Sequence, residues 1–171
     1  MKRLVITTTA VLGIGLLGGC MHAPQVAVAP SIPLWQALPG LYTAGQPAAS
    51  DWPAIKADGI RTVISLRAPG ELQDRDEAAE VRAAGLRYID IPVAHADGIN
   101  ADNARLLHAA LSPAHGGGVL VHCASGNRAG ALLALEQKDF DGMTPEAALA
   151  LGKQAGVTKL EGTLKQALGI Q

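Results

Sequence analysis

Short runs of β-branched and apolar residues alternate with helical patterns from residue 34 onward, and this alternation limits the fold more than any other feature. Residues 60–66 (IRTVISL), 86–91 (LRYIDI) and 118–122 (GVLVH) have the length and residue types of strands. Residues 40–44 predict a further short strand, followed by turn chemistry at Gly45-Gln46-Pro47. Between and after these, helices are predicted from Ser50 or Asp51 to Gly59, over 71–84, from Asn100 through Leu111 and from about Ala129 to Phe140. Another is predicted to open at Thr144-Pro145-Glu146. Strands interleaved with helices predict an α/β fold, a three-layer sandwich around a mainly parallel central sheet.

The N-terminus obeys other rules. Lys2 and Arg3 precede an apolar stretch from Leu4 to Leu17, and Gly18 and Gly19 lead into Cys20. This has the layout of an export signal and is too short and wrongly flanked for a stable transmembrane helix. Gly13, Gly15 and Gly18 match a dinucleotide-binding fingerprint by letter only, because no strand precedes them. Leu17-Gly18-Gly19-Cys20 resembles the bacterial lipobox, which makes Cys20 the expected lipidation site. Neither Met21 nor His22 is an acidic inner-membrane retention residue, so the expectation is an outer-membrane lipoprotein facing the periplasm, held to the membrane through its lipid anchor. Residues 21–33 are Pro- and Ala-rich and suit an extended tether, and residues 34–171 form the single domain. A formal charge of −1 gives no basic footprint, so no nucleic-acid partner is expected.

The chemistry concentrates in Val119-Leu-Val-His122-Cys123-Ala124-Ser125-Gly126-Asn127-Arg128. In an open α/β sheet the crevice beyond the strand ends binds ligands. A loop there that enters a helix aims several backbone N–H groups and the helix dipole at one point. Such a place stabilises an anion, whether a thiolate or a bound oxyanion. An ordinary thiol of pKa about 8.5 is only about 3% ionised at pH 7, whereas one near 6 is about 90% ionised. Arg128 adds a planar fork that can hold two oxygens of a phosphate or sulfur oxyanion. Gly126 permits the turn, and Asn127 tolerates a left-handed backbone. A lone cysteine at a strand end is ordinarily a small buried hydrophobe, but the Gly126-Asn127-Arg128 continuation is a poor way to bury one. With Cys20 lipidated, Cys123 has no disulfide partner, and an oxidising compartment favours a purpose for its thiol.

This His-Cys…Arg loop resembles the signature of cysteine-dependent protein tyrosine and dual-specificity phosphatases. Three upstream segments narrow the resemblance: Gly40-Leu-Tyr-Thr-Ala-Gly-Gln-Pro47, Gly59-Ile-Arg-Thr-Val-Ile-Ser-Leu-Arg67 with Gly70-Glu71, and Tyr88-Ile-Asp-Ile-Pro-Val93. Together they resemble the bacterial phosphatase-like domain also found joined to beta-lactamase-like hydrolases, over residues 38 to about 160. The resemblance implies a dual-specificity-phosphatase-like sandwich that hydrolyses phosphomonoesters, protein tyrosine or small-molecule phosphate, through a phospho-cysteine intermediate. Cys123 is then the nucleophile. Arg128 and the amides of Ala124, Ser125, Gly126 and Asn127 hold the phosphoryl oxygens, and His122 orients the loop or is simply a satisfied core histidine. The general acid is expected at Asp97, on the loop of His95-Ala96-Asp97-Gly98, with Asp102 as fallback in the first turn of a helix.

Two departures keep other readings open. Four residues separate Cys123 from Arg128 where the common phosphatase signature has five, a length that resembles the loop of rhodanese-type sulfurtransferases carrying a persulfide. Ala129 stands where phosphatases usually place the Ser or Thr that eases departure of the thiolate, which also leaves a non-catalytic anion-binding module in play. Arg67 and Glu71 could reach the same crevice, although a surface ion pair is the simpler expectation. The histidines show no metal-ligand spacing, so no metal or cofactor is expected. The five aromatics, Trp35, Tyr42, Trp52, Tyr88 and Phe140, leave little for a deep phosphotyrosine slot.

Overall fold

The computed structural model describes residues 29–111 and 116–170. The signal-like segment, Cys20 and most of the tether lie outside the described residues. Strand β1 (Leu34–Leu38) forms a hairpin with β2 (Leu41–Ala44). Helix α1 (Trp52–Ala57), β3 (Ile60–Ser65), α2 (Glu77–Ala83), β4 (Arg87–Asp90), α3 (Ala101–Leu111) and β5 (Gly118–His122) follow. Three helices complete the chain: α4 (Asn127–Phe140), α5 (Pro145–Gln154) and α6 (Glu161–Leu168). The sheet runs β1-β2-β5-β3-β4, antiparallel at β1–β2 and parallel elsewhere, which is the expected α/β architecture.

Period-two alternation sends successive side chains of β5 to opposite layers. Val119, Val121 and Cys123 join the larger core with α3 to α6, including Leu107, Leu132, Leu151 and Leu164. Leu120 faces the smaller core of Trp52, Ile55, Val81 and Leu86 under α1 and α2. Each fully buried Leu or Ile of these layers contributes about 2 kcal/mol. The parallel register fixes the working edge: Ala44 and Ser65 both lie opposite His122, and Ser65 opposite Asp90. Four strand ends therefore open onto one crevice, with the loop after β5 at its centre.

The structure differs from the expectations in three places. The helix predicted over 71–84 shrinks to Glu77–Ala83, because Asp76 caps its start by accepting from Ala79 N at 2.9 Å while Glu71 is drawn to arginines on either side. The charged residues of 71–76 mimic helical patterning but serve a loop. Strand β1 is additional to the expected strands; only Ala37 of its five residues is buried, so its sequence carries no period-two burial signal before the Pro39-Gly40 turn. Helix α4 also begins two residues earlier than expected, at Asn127, so that Arg128 lies in its first turn.

Candidate active site

Cys123 follows β5 directly and is buried, 1% exposed, among the apolar residues of the larger core. Its sulfur accepts the Gly126 N–H at 3.2 Å. That contact requires Gly126 to turn back at φ +87° as the residue before α4. A Cβ there would sit 2.5 Å from the Trp35 ring as well, so both backbone and packing demand glycine. Opposite the loop, the end of β2 braces it: Gln46 N–H donates to the Ala124 carbonyl at 3.2 Å, and Gly45 bridges to Ser125.

Arg128 projects from the first turn of α4 into a clasp. Its NH1 and NH2 groups donate to the two carboxylate oxygens of Glu71, each at 2.7 Å, and NH1 also donates to the Val93 carbonyl at 2.5 Å. The guanidinium carries five N–H groups in a rigid fork. Glu71 and Val93 engage both hydrogens of NH1 and one of NH2, which leaves the Nε–NH2 edge for a ligand. Hydrogen bonding to Glu71 holds Arg128 more firmly charged than an ordinary arginine, against the cost of burial, and proximity to Cys123 adds to this. Reciprocally, Arg128 holds the Glu71 carboxyl down to about 2. The Ala68 N–H donates to Glu71 at 2.9 Å, and Arg67 lies 3.3 Å from its other oxygen. Glu71 is thus no surface partner of Arg67 alone, as the simpler expectation had it, but the residue that orients Arg128. The sequence signal was its place just beyond the end of β3, on the same edge as Cys123.

His122 is fully buried on the opposite layer from Cys123, edge-on to Trp52 with ring centroids 6.3 Å apart. Its Nε2 lies 3.5 Å from Glu77, too long for a well-directed hydrogen bond. Burial pushes the Glu77 carboxyl up, but His122, Gln46 and Ser65 outweigh it and hold the group at about 2. Gln46 Nε2 donates to Glu77 at 2.5 Å. The loop thus rests on a buried polar layer joining the ends of β2, β3 and β5.

Asn127 is not left-handed as expected but is the first residue of α4, the turn being made by Gly126, and it acts through its side chain. Its Oδ1 accepts the N–H groups of Thr158 and Lys159 at 2.8 Å and of Leu160 at 3.2 Å, tying the turn before α6 to the loop. A hollow of about 270 Å³ opens there, lined by His95, Ser125, Asn127, Arg128, Lys159 and Leu160 among others. Asp97 lies two residues beyond His95 on a short 3-10 turn. It is exposed and lines a separate cavity of about 710 Å³ between that turn and α3, α4 and α6. Asp102 sits in the first turn of α3, paired with Arg105 at 3.0 Å. The structure therefore gathers Cys123, Ser125, Gly126, Asn127 and Arg128, adds Glu71, His95 and Lys159, and holds Asp97 outside the hollow. Away from this site, His108, Glu136 and Asp141 come together, with His108 Nδ1 2.8 Å from Glu136. The Gln137 amide bonds both carboxylates, so the buried Glu136 is satisfied without a further ligand.

Comparison with known proteins gives the same picture. The model of the family described as beta-lactamase hydrolase-like protein, phosphatase-like domain, matches residues 35–139. The dual specificity protein phosphatase TpbA of Pseudomonas aeruginosa is 31% identical over 159 residues, covering 86% of this chain and 70% of that protein. The beta-lactamase hydrolase-like protein of Xylella fastidiosa is 34% identical over 120 residues, 68% of this chain but only 27% of that protein. A crystal structure of P. aeruginosa TpbA, a Cys→Ser variant in complex with phosphotyrosine, aligns at TM-score 0.59 and 25% identity, covering 84% of this chain and 94% of that one.

Proposed function

The chain belongs to the phosphatase-like domain family of beta-lactamase hydrolase-like proteins, and from that premise we propose that Cys123 and Arg128 carry out its phosphomonoester hydrolysis. A cysteine-dependent phosphatase-like activity follows from the family and from relatives that are phosphatases. Those relatives do not favour the sulfur-transfer and binding-module readings that the short loop and Ala129 left open.

The observation that carries the residue roles is the half-used guanidinium of Arg128, with three N–H groups engaged and one edge left beside Cys123. A phosphoryl group bound to that edge is placed for attack by the Cys123 sulfur. The S–P bond forms as the P–O bond to the leaving group breaks, and the departing oxygen takes a proton. Water then attacks the phospho-cysteine, releasing inorganic phosphate and the thiolate. Charge spreads over the equatorial oxygens in both steps, where Arg128 and the loop amides of residues 124–127 stabilise it. Ala129 supplies no hydroxyl for the second departure, so breakdown of the intermediate is the slower step. The proton donor is Asp97, brought over the hollow when the 94–98 turn closes. His95, which already lines the hollow, is the second reading.

The signal-like first 20 residues and the lipobox setting of Cys20 support export and lipid anchoring, with the domain in the periplasm. Loss of palmitate labelling in Cys20→Ala is the expected check.

The test of function is hydrolysis of p-nitrophenyl phosphate by residues 22–171 over pH 5–8. Turnover that disappears in Cys123→Ser, with acid-quenched phosphoprotein in the wild type, is the expected result. Turnover that survives in Cys123→Ser would overturn the assignment.

A further inference from the structure

We propose that Lys159 selects the substrate class of this site: phosphomonoesters bearing a second anionic group, phosphate or carboxylate, beside the one that is cleaved. The inference rests on the phosphatase reading above and adds to it a second contact outside the Cys123–Arg128 loop.

Position comes first. Lys159 lines the same hollow as Arg128 and Ser125. Its main chain is fixed there, because Asn127 Oδ1 accepts the Lys159 N–H at 2.8 Å, with those of Thr158 and Leu160 on either side. Asn127 immediately precedes Arg128, so one residue anchors both the phosphoryl cradle and the base of the lysine. The clamp takes the main chain of residues 158–160 and the Thr158 hydroxyl, and leaves the ammonium of Lys159 to reach on its own stem.

Charge comes second. Glu161, two residues on, is the obvious partner, yet Lys165 takes it at 3.1 Å and Lys153 lies 3.5 Å from its other oxygen. Among the described residues no carboxylate lies within ion-pair distance of the Lys159 ammonium, and no Asp or Glu lines the hollow. Arg128 differs in being half neutralised by Glu71. One phosphoryl dianion answers the free edge of Arg128 and the loop amides, and the charge of Lys159 remains unanswered. A hollow of 270 Å³ is about 8 Å across if taken as a sphere, room for two small anionic groups on one compact carrier. No Phe, Tyr or Trp lines it, so a bare aryl ring has only the His95 imidazole to stack on. A lysine ammonium, a compact point charge on a flexible stem, suits a second group whose distance from the first varies.

The experiment compares phenyl phosphate with 3-carboxyphenyl phosphate and 1,3-phenylene bisphosphate, in two readouts. Turnover by the wild-type protein gives a ratio of kcat/KM, and calorimetric titration of Cys123→Ser gives a ratio of Kd without turnover. Each is repeated with Lys159→Ala, Lys159→Arg and Lys159→Glu at low and high salt. The expected preference for the doubly anionic esters is about five- to tenfold at low salt, screened at high salt. It is retained in Lys159→Arg, collapses toward unity in Lys159→Ala and reverses in Lys159→Glu. No preference in the wild type, or an equal preference in Lys159→Ala, overturns the inference. Absent turnover with a Lys159-dependent preference in the titrations would sink the phosphatase reading and leave the second anion contact standing.

Discussion

Replacing Glu71 by Gln tests whether Arg128 works only when it is held in place. The change is nearly isosteric but removes one of two carboxylate oxygens and puts an NH2 donor against a guanidinium donor. Arg128 then keeps the Val93 carbonyl and the weaker 3.4 Å contact to Leu66. Of the two charge-assisted bonds at 2.7 Å, one is lost outright and the other becomes a neutral-acceptor bond. Hydrogen bonds to charged groups contribute about 1.5–3 kcal/mol each, and the Glu71 side chain is 27% exposed, which discounts the upper end. A loss of about 2 kcal/mol in transition-state positioning corresponds to roughly 30-fold in kcat/KM. Steady-state kinetics on p-nitrophenyl phosphate should show that drop in Glu71→Gln, a larger one in Glu71→Ala and partial recovery in Glu71→Asp. The pH profile is a second readout. Glu71 is lowered from 4.5 to about 2 in the folded protein, so its contribution to stability is present above about 4.5 and lost as pH falls through about 2. Across pH 5–8 it stays ionised, and the variant's profile should keep the wild-type shape at reduced height. A kcat/KM within twofold of wild type would refute the claim that Glu71 positions the arginine.

Three further outcomes follow from the same geometry. Glu77→Gln breaks the buried contact to His122 and should cost about 2–3 kcal/mol, lowering Tm by roughly 6–10 °C at neutral pH. Because the Glu77 carboxyl is lowered from 4.5 to about 2, the wild type should lose stability as pH falls below about 4.5 and the variant should lose less; parallel Tm curves from pH 7 to 3 would contradict this. Gly126→Ala forces a Cβ onto a φ of +87° and into the Trp35 ring, so it should cost about 2–4 kcal/mol and abolish turnover, whereas the Trp35→Leu background should recover stability and not the backbone strain. Simple additivity of the two changes in thermal melts would rule out the contact. Asp97→Asn should lower kcat/KM, which reports formation of the phospho-cysteine, by about 100-fold or more for phenyl phosphate and much less for p-nitrophenyl phosphate, because the poorer leaving group needs the proton. If His95→Asn shows that pattern instead, the acid is the residue already facing the hollow.

The layered α/β fold was legible in the sequence because β3 and β5 are apolar runs rich in β-branched residues, and Asn100 and Thr144 cap α3 and α5. So was the loop, since Cys123, Gly126 and Arg128 are adjacent along the chain and their chemistry needs no tertiary information. What escaped the sequence were contacts made by register. Glu71 lies 57 positions from Arg128; its place just beyond β3 put it near the crevice, but only the parallel pairing of β3 with β5 gives it the arginine as partner. Lys159 lies 31 positions beyond Arg128 on a turn without motif, and reaches the hollow because Asn127 collects three amides there. Asp97 shows the opposite weakness, since a chain position fit for a general acid says nothing of which way a surface turn faces.

The short loop gains its stiffness from outside itself. With four residues between Cys123 and Arg128, the cradle has one internal contact from its main-chain N–H groups, that of Gly126 to the Cys123 sulfur. The structure braces it on three sides: Gly45 and Gln46 bond Ala124 and Ser125, Trp35 packs on Gly126, and Asn127 anchors the turn before α6. Arg128 is fixed separately through Glu71 and Val93. An anion site made this way costs little reorganisation when a ligand arrives, because its dipoles are already oriented by groups that the ligand does not touch. It follows that the residues most damaging to remove after Cys123 and Arg128 are these outer braces. Asn127→Ala, which keeps every loop amide yet frees residues 158–160, should weaken phosphate binding and the second-anion preference together. Asn127→Asp, which keeps the acceptor oxygen for those amides, should preserve the clamp while placing a repulsive charge beside the phosphoryl group.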